Sequence, residues 1–156
     1  MTKILLTGST GQIGWELCHT LAPLGEVIAP DRTALDLARP DSIRKTMRET
    51  RPDVVVNAAA FTAMDKVEVE PELAMQVNGV APGIIAEEAQ RFGALLVHYS
   101  SAYVFDGAGA RPYLEDDPPC PINAYGRSKL AGEQAIAAAG GAHVIVRLSW
   151  IYSLRG

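Results

Sequence analysis

The feature that most restricts this chain is a glycine pattern close to its start. Lys3-Ile4-Leu5-Leu6-Thr7 is an apolar run of strand length, and it leads directly into Gly8-Ser9-Thr10-Gly11-Gln12-Ile13-Gly14. The stretch from Gln12 to Leu21 then carries Ile13, Leu17 and Leu21 at helical spacing, and Pro23 stops it. In this strand-turn-helix setting each glycine has a physical task. Gly8 turns the chain sharply because it has no Cβ. Gly11 lets the backbone approach a pyrophosphate, and Gly14 lets the helix pack closely on the sheet. The N–H groups of the first helical turn then face the anion. No Lys-Ser or Lys-Thr follows the last glycine, so the pattern reads as a dinucleotide site and not as a P-loop.

The alternation begun there continues. Strands are expected at Glu26–Ala29, Asp53–Asn57, Ala94–Tyr99 and His143–Leu148. Between them the spacing predicts a helix over Asp41–Thr50 capped by Asp41, a long one over Pro71–Phe92 bent or divided at Pro82, and one over Asn123–Ala139 closed by Gly140-Gly141. Phe105–Ile122 is rich in Pro, Gly and Asp and reads as a long surface loop. Strands alternating with helices imply right-handed crossovers and a parallel sheet, and strands apolar at nearly every position suit a sheet covered on both faces. The fold class is therefore α/β, a doubly wound, mostly parallel, Rossmann-like sheet in a three-layer αβα sandwich, with residues 1–156 as one dinucleotide-binding domain. Its ligands belong at the carboxyl ends of the strands.

Composition narrows the partners. With 48% apolar residues, 21% charged residues and a formal charge of −4 over 156 residues, the chain reads as a soluble domain with no general affinity for nucleic acid or anionic membranes. No apolar run is long enough to span a bilayer, and the N-terminus has no signal-peptide pattern. Cys18 and Cys120 fit no metal spacing and read as reduced thiols of a cytoplasmic protein.

Further residues suggest how the cofactor and a substrate are handled. Asp31, at the end of the second strand, can accept hydrogen bonds from an adenosine ribose and favours NAD, whereas Arg32 beside it can meet a 2′-phosphate and admits NADP. Asp36 and Leu37 can flank the adenine. Small residues at Ala58, Ala59 and Ala60, followed by Phe61 and Thr62, permit close backbone approach at the end of the third strand. The fourth strand ends in Ser100-Ser101-Ala102-Tyr103, and Tyr125-Gly126-Arg127-Ser128-Lys129 follows on a helix. Residues four apart share a helix face, so Lys129 can sit under Tyr125 or beside the cofactor ribose. A nearby ammonium would lower the tyrosine pKa and make Tyr125 a usable general acid toward a carbonyl oxygen, with the Ser101 hydroxyl on the same oxygen. Glycine turn, Ser-Ser strand end and Tyr-Lys helix occur in the order expected of short-chain dehydrogenases.

Five segments together resemble the dTDP-4-dehydrorhamnose reductase family of extended short-chain dehydrogenases: the glycine turn, Asn57–Lys66, Tyr103–Gly107, Tyr125–Glu133 and Arg147–Ser153. The resemblance covers essentially the whole chain. It implies reduction of a dTDP-4-keto-6-deoxy sugar to dTDP-L-rhamnose by NADPH or NADH, a step of cell-surface polysaccharide synthesis. It places Tyr125 as proton donor, Lys129 on the ribose and Ser101 where the family usually has threonine. It puts Gly11, Gln12, Ile13, Asp31, Asp36, Leu37, Ala60, Phe61 and Thr62 on cofactor positions, and Ala102, Tyr103 and Trp150 with Ser101 on the substrate side. Ala102 stands where the family usually has aspartate, which removes a carboxylate from that side.

The resemblance also implies a second, sugar-nucleotide-binding domain after Leu154-Arg155-Gly156, absent from this chain. The chain is thus expected to bind cofactor and not to turn over alone. A homodimer and a Mg2+ at a dimer contact are further implications, with Glu16 as one ligand. Two other readings fit the same residues: another extended short-chain epimerase or dehydratase, and a non-catalytic dinucleotide-binding regulatory subunit.

Overall fold

Among the described residues, five strands form one parallel sheet in the order β2-β1-β3-β4-β5. They are β1 (Lys3–Thr7), β2 (Glu26–Ile28), β3 (Val54–Asn57), β4 (Leu95–Ser101) and β5 (His143–Leu148). The computed structural model describes residues 1–153; Leu154, Arg155 and Gly156, after which the second domain is expected, lie outside the described residues. The helices are α1 (Gln12–Thr20), α2 (Pro40–Thr50), α3 (Met64–Val69), α4 (Pro71–Ala74), α5 (Ala81–Phe92) and α6 (Ala124–Ala139). From β1 the chain moves outward to β2 and then crosses back to β3 on the other side. The carboxyl ends of β1 and β3 therefore diverge at a switch point, where open α/β sheets take their ligands.

The two faces of the sheet are covered unequally. On one, Leu5, Val55 and Leu96 pack with Ile43 and Met47 of α2, Ile84 and Ile85 of α5 and Ile136 of α6. On the other, Ile4, Leu6 and Val56 pack with Leu17, Cys18 and Leu21, so α1 covers only the β1–β3 region. The three-layer αβα arrangement holds, but Leu95 and Val144 stay exposed because no described helix lies over that part of the sheet.

Several local expectations need correction. Arg39, not Asp41, is the N-cap of α2; Pro40 takes the first helical position, where its missing N–H costs nothing, and Asp41 sits in the first turn where its charge complements the helix dipole. The helix expected over Pro71–Phe92 is three pieces: α4, a π-helical stretch Met75–Val80, and α5, which starts one residue before Pro82. Proline marks the boundary as expected, and the wider turn before it was not foreseen. The short helix α3 was also missed, since six residues are too few to show a period. Asn123 caps α6 through its side chain, which accepts from Gly126 N at 2.7 Å. Gly140 (φ 75°) closes the helix.

The long loop after β4 has no regular element from Phe105 to Asn123, yet it is firmly tied. Arg111 bridges Asp117 with two bonds of 2.9 and 2.7 Å, Phe105 and Tyr113 stack at 4.2 Å, and Tyr113 Oη donates to Asp106 at 2.7 Å. Between α2 and α5, the buried Glu88 carboxylate pairs with Arg48 and Arg91, whose side chains stay largely exposed. Those arginines hold the Glu88 carboxyl below its ordinary range, the bond from Arg48 most of all. Cys18 and Cys120 are both free thiols.

The glycine turn accounts for the closeness of α1 to the sheet. A Cβ on Gly14 would lie 2.0 Å from the Gly8 carbonyl oxygen, so this glycine admits the helix to the turn itself rather than to the sheet face expected. Gly8 has φ 73°, and a Cβ there would lie 2.7 Å from Ala59 N. Gly14→Ala is expected to cost about 3 kcal/mol or more, at the upper end for overpacking, because only backbone is available to move. Urea denaturation of the variant beside wild type measures this.

Candidate active site

The turn after β1 opens on a cavity of about 970 Å³ at the carboxyl ends of β1, β3 and β4. Helix α1 starts there with Gly11 as its N-cap in extended backbone, with no side-chain cap and no acidic residue in the first turn. The positive end of its dipole and the first N–H groups are thus left for a ligand. A Cβ on Gly11 would meet nothing closer than the Gly8 carbonyl at 3.4 Å, which leaves open space above the turn.

Most residues expected from the sequence converge on this cavity. Its wall includes Gly8, Gly11, Gln12 and Ile13 from the turn, Asp31, Arg32, Asp36 and Leu37 from the segment after β2, and Ala58, Ala59, Ala60, Phe61 and Thr62 after β3. Ser101, Ala102, Tyr103, Tyr125 and Trp150 complete it on the other side. Gly14 and Lys129 are not on the wall. Glu16 is not either, and among the described residues no three His, Cys, Asp or Glu side chains are grouped to hold a metal. The wall also includes residues the sequence reading passed over, notably Val77, Phe105, Tyr113 and Ile122. They come from the π stretch and the tied loop, whose path no local pattern foretells.

Asp31 is partly committed to its own turn. Its Oδ1 accepts from Thr33 N, Thr33 Oγ1 and Ala34 N at 2.9, 2.6 and 3.0 Å, and these bonds, that of the Thr33 hydroxyl first, keep the carboxyl below its usual range. Asp36 likewise accepts from Ala38 N at 3.0 Å. Both carboxylates therefore hold the loop after β2 in shape as well as facing the cavity.

Ser101 ends β4, and its Oγ accepts from Tyr103 N at 3.2 Å. Tyr125 stands in the first turn of α6, edge-on to Tyr103 with ring centroids 5.9 Å apart. Burial raises the Tyr125 phenol above its ordinary pKa, and the hydrogen bond with Ser101 pulls the other way. This corrects one expectation. The ammonium of Lys129 does not act on Tyr125 here; Lys129 Nζ donates to the Tyr99 carbonyl at 2.7 Å and lies 3.5 Å from His98 Nε2. Lys129 is 1% exposed, and its pKa falls to about 8 through loss of hydration, partly offset by Glu133. Tyr125 is consequently a neutral phenol near neutral pH, a donor and not a phenolate.

Asn78, in the π stretch, went unnoticed in the sequence and connects the two halves of the cavity. Its Oδ1 accepts from Phe61 N at 2.8 Å and its Nδ2 donates to the Phe61 carbonyl at 3.0 Å. The same Nδ2 donates to Ser128 Oγ at 3.0 Å, and Ser128 Oγ donates to the Tyr125 carbonyl at 2.7 Å. One buried amide thus holds the loop after β3 against the start of α6. A π-helical turn is the device that brings it there, and such turns occur often at functional sites.

The family model described as the RmlD substrate binding domain matches residues 1–156. The chain belongs to this family. It is 50% identical over 154 residues to a dTDP-4-dehydrorhamnose reductase of Burkholderia thailandensis, covering 99% of this chain and 52% of the relative. A solved dTDP-4-dehydrorhamnose reductase of Bacillus anthracis in complex with NADP superposes with a TM-score of 0.92 at 36% identity, over 97% of this chain and 55% of that one. The Clostridium acetobutylicum reductase superposes with a TM-score of 0.94 at 40% identity, over 98% and 55%. The RmlD-family chain described here spans about half the length of the curated relatives it matches.

His98 lies fully inside the protein, and burial together with the Lys129 charge lowers its pKa to about 3. A base whose pKa is lower when folded costs stability as pH falls below its unfolded value near 6.5, because the unfolded chain then binds the extra proton. By pH 4.5 this amounts to roughly 2–3 kcal/mol at 1.36 kcal/mol per unit. His98→Leu is expected to remove that part of the difference in unfolding free energy between pH 7 and pH 4.5, as read by urea denaturation at both values.

Proposed function

We propose that this chain is the dinucleotide-binding part of a reductase that converts dTDP-4-dehydro-L-rhamnose into dTDP-L-rhamnose with NADPH or NADH. The observation that carries the reading is one cavity shared by two features: the uncapped amino end of α1 and the Tyr125–Ser101 pair. The residues present fit a dinucleotide. Gly11 leaves room for a diphosphate above N–H groups that nothing caps, and Asp31 and Arg32 stand on the wall where the adenosine end would extend. The Bacillus anthracis relative holds NADP, which supports NADPH, with Arg32 toward a 2′-phosphate. Asp31 supports NADH as well, through the oxygen not engaged by Thr33 and Ala34.

When bound, the reduced nicotinamide supplies hydride to the sugar C4. The phenol of Tyr125 then gives its proton to the carbonyl oxygen, so that hydride and proton together convert C=O to CH–OH. Burial that keeps Tyr125 protonated suits this role, since the acid must carry its proton until charge develops on oxygen. Ser101 holds the same oxygen through its hydroxyl. The resemblance gives Lys129 the ribose hydroxyls and the charge that favours the phenolate; it would serve either by leaving the Tyr99 carbonyl that holds its Nζ in this structure, below the cavity wall. Ala102, Tyr103 and Trp150 line the side on which the sugar nucleotide would lie. The free thiols fit a cytoplasmic location, and among the described residues no helix is long and apolar enough to cross a membrane.

Two measurements test the proposal. Titrating the chain with NADPH and following nicotinamide fluorescence should show saturable binding that is lost in Gly11→Leu; no binding by wild type refutes the reading. In a protein that joins this chain to the remaining half of the family's length, Tyr125→Phe should lower kcat by about 10²–10⁴ while leaving NADPH affinity within a factor of about 3. Unchanged turnover would remove Tyr125 from the chemistry.

A further inference from the structure

A continuous line of polar side chains runs beneath the cavity, across three strands and into α6. Ala59 N donates to Thr7 Oγ1 at 3.3 Å, and Thr7 Oγ1 donates to Asn57 Oδ1 at 2.6 Å. Asn57 Nδ2 lies 3.0 Å from His98 Nδ1, and His98 Nε2 lies 3.5 Å from Lys129 Nζ. Lys129 Nζ donates onward to the Tyr99 carbonyl at 2.7 Å. Thr7, Asn57, His98 and Lys129 are each no more than 2% exposed, so the partners are fixed by one another and not by solvent.

The chemistry of this line allows two arrangements in which both ring nitrogens of His98 are satisfied. A neutral imidazole has one N–H and one lone pair. With Asn57 Oδ1 on the Thr7 hydroxyl, the amide nitrogen needs the lone pair of Nδ1, and the ring proton sits on Nε2. That N–H then faces Lys129, and it is satisfied only by the lone pair of a neutral amine. If the Asn57 amide turns over, Oδ1 accepts from Nδ1–H and the lone pair of Nε2 accepts from the ammonium. Thr7 then loses its donated bond and receives one from Nδ2. The first arrangement suits an uncharged Lys129, the second a charged one. A doubly protonated ring is not a third option, since burial and the Lys129 charge suppress it until about pH 3.

We propose that His98 is a positioning residue for Lys129, and that its tautomer follows the charge on that lysine through the Asn57 amide. When Lys129 is an ammonium the ring carries its proton on Nδ1. When Lys129 gives one proton to solvent, the ring keeps its single proton but holds it on Nε2, and the Asn57 amide is reversed. The titratable groups on the elements packed against Lys129 are engaged elsewhere or uncharged. Glu133, one turn further along α6, favours the ammonium and is paired with Arg147 of β5; Glu68 of α3 accepts from Ala124 N; Tyr125, one turn back, is neutral. His98 and the Tyr99 carbonyl are thus what β4 presents to Nζ. The functional weight of the inference rests on the reading of Lys129 as the ammonium serving cofactor and Tyr125; the coupling itself does not.

Two-bond 15N–1H NMR correlation of the histidine rings reads the tautomer directly. The chain has three histidines, and His19→Gln and His143→Gln identify the two outside the line. The lysine titrates near pH 8, so spectra at pH 6.5 and pH 10 bracket it. His98 is expected to be singly protonated at both, on Nδ1 at pH 6.5 and on Nε2 at pH 10. In Lys129→Met the ring should keep one tautomer throughout. The same tautomer at both values in wild type, or the same change in Lys129→Met, overturns the proposal. An NADPH titration on the same samples separates the two readings: a tautomer change without binding defeats the dinucleotide function alone, and binding with an invariant ring defeats the coupling alone.

Discussion

The approach of α1 to the end of β1 is the contact on which the rest of the structure depends. It is a backbone-to-backbone contact: the Cα of Gly14 sits where any side chain would collide with the Gly8 carbonyl. That closeness sets the amino end of α1 at the switch point between β1 and β3. Gly8 in turn lies against the backbone at Ala58 and Ala59, so the turn and the loop after β3 are placed by the same contact. A cavity shaped by main-chain contacts can hold its donors in place without help from long, mobile side chains.

On the opposite side, the site is built from side chains that are buried and mutually bonded. Asn78 joins the loop after β3 to the start of α6, and the Thr7-Asn57-His98-Lys129 line joins three strands to the same helix. Buried polar groups without partners are costly, so such networks stand or fall as wholes. Both networks converge on the turn of α6 that carries Tyr125 and Lys129. The Arg147–Glu133 pair, with Arg147 also over the Phe105 ring at 5.1 Å, fixes the middle of that helix against β5 and the tied loop.

Much of this was legible from the chain itself, for reasons that can be named. The glycine turn was readable because its function is local: the spacing, the strand before it and the helix after it all lie within twenty residues. β5 was read with both ends correct because its apolar run is flanked by Gly140-Gly141 and polar residues. The Tyr125–Lys129 pair was read by spacing, but its electrostatics were not, since the ammonium is drawn to a strand carbonyl far away in sequence. His98 and Asn78 escaped notice for the same reason. Each is a polar residue inside an apolar pattern, and its partners lie 17 to 50 positions away. The uneven cover of the sheet was likewise invisible to a pattern that records only that strands are apolar.

The π-helical stretch Met75–Val80 has one consequence for how this region tolerates change. Such a turn holds an additional residue relative to an α-helix, so the segments on either side are offset in phase by roughly a quarter to a third of a revolution. Deleting a single residue there would yield a straighter and intrinsically more regular helix, yet would swing Asn78 off the Phe61 backbone. Length in this stretch is therefore fixed by the architecture in a mechanical sense: a shorter, tidier helix would uncouple the two walls.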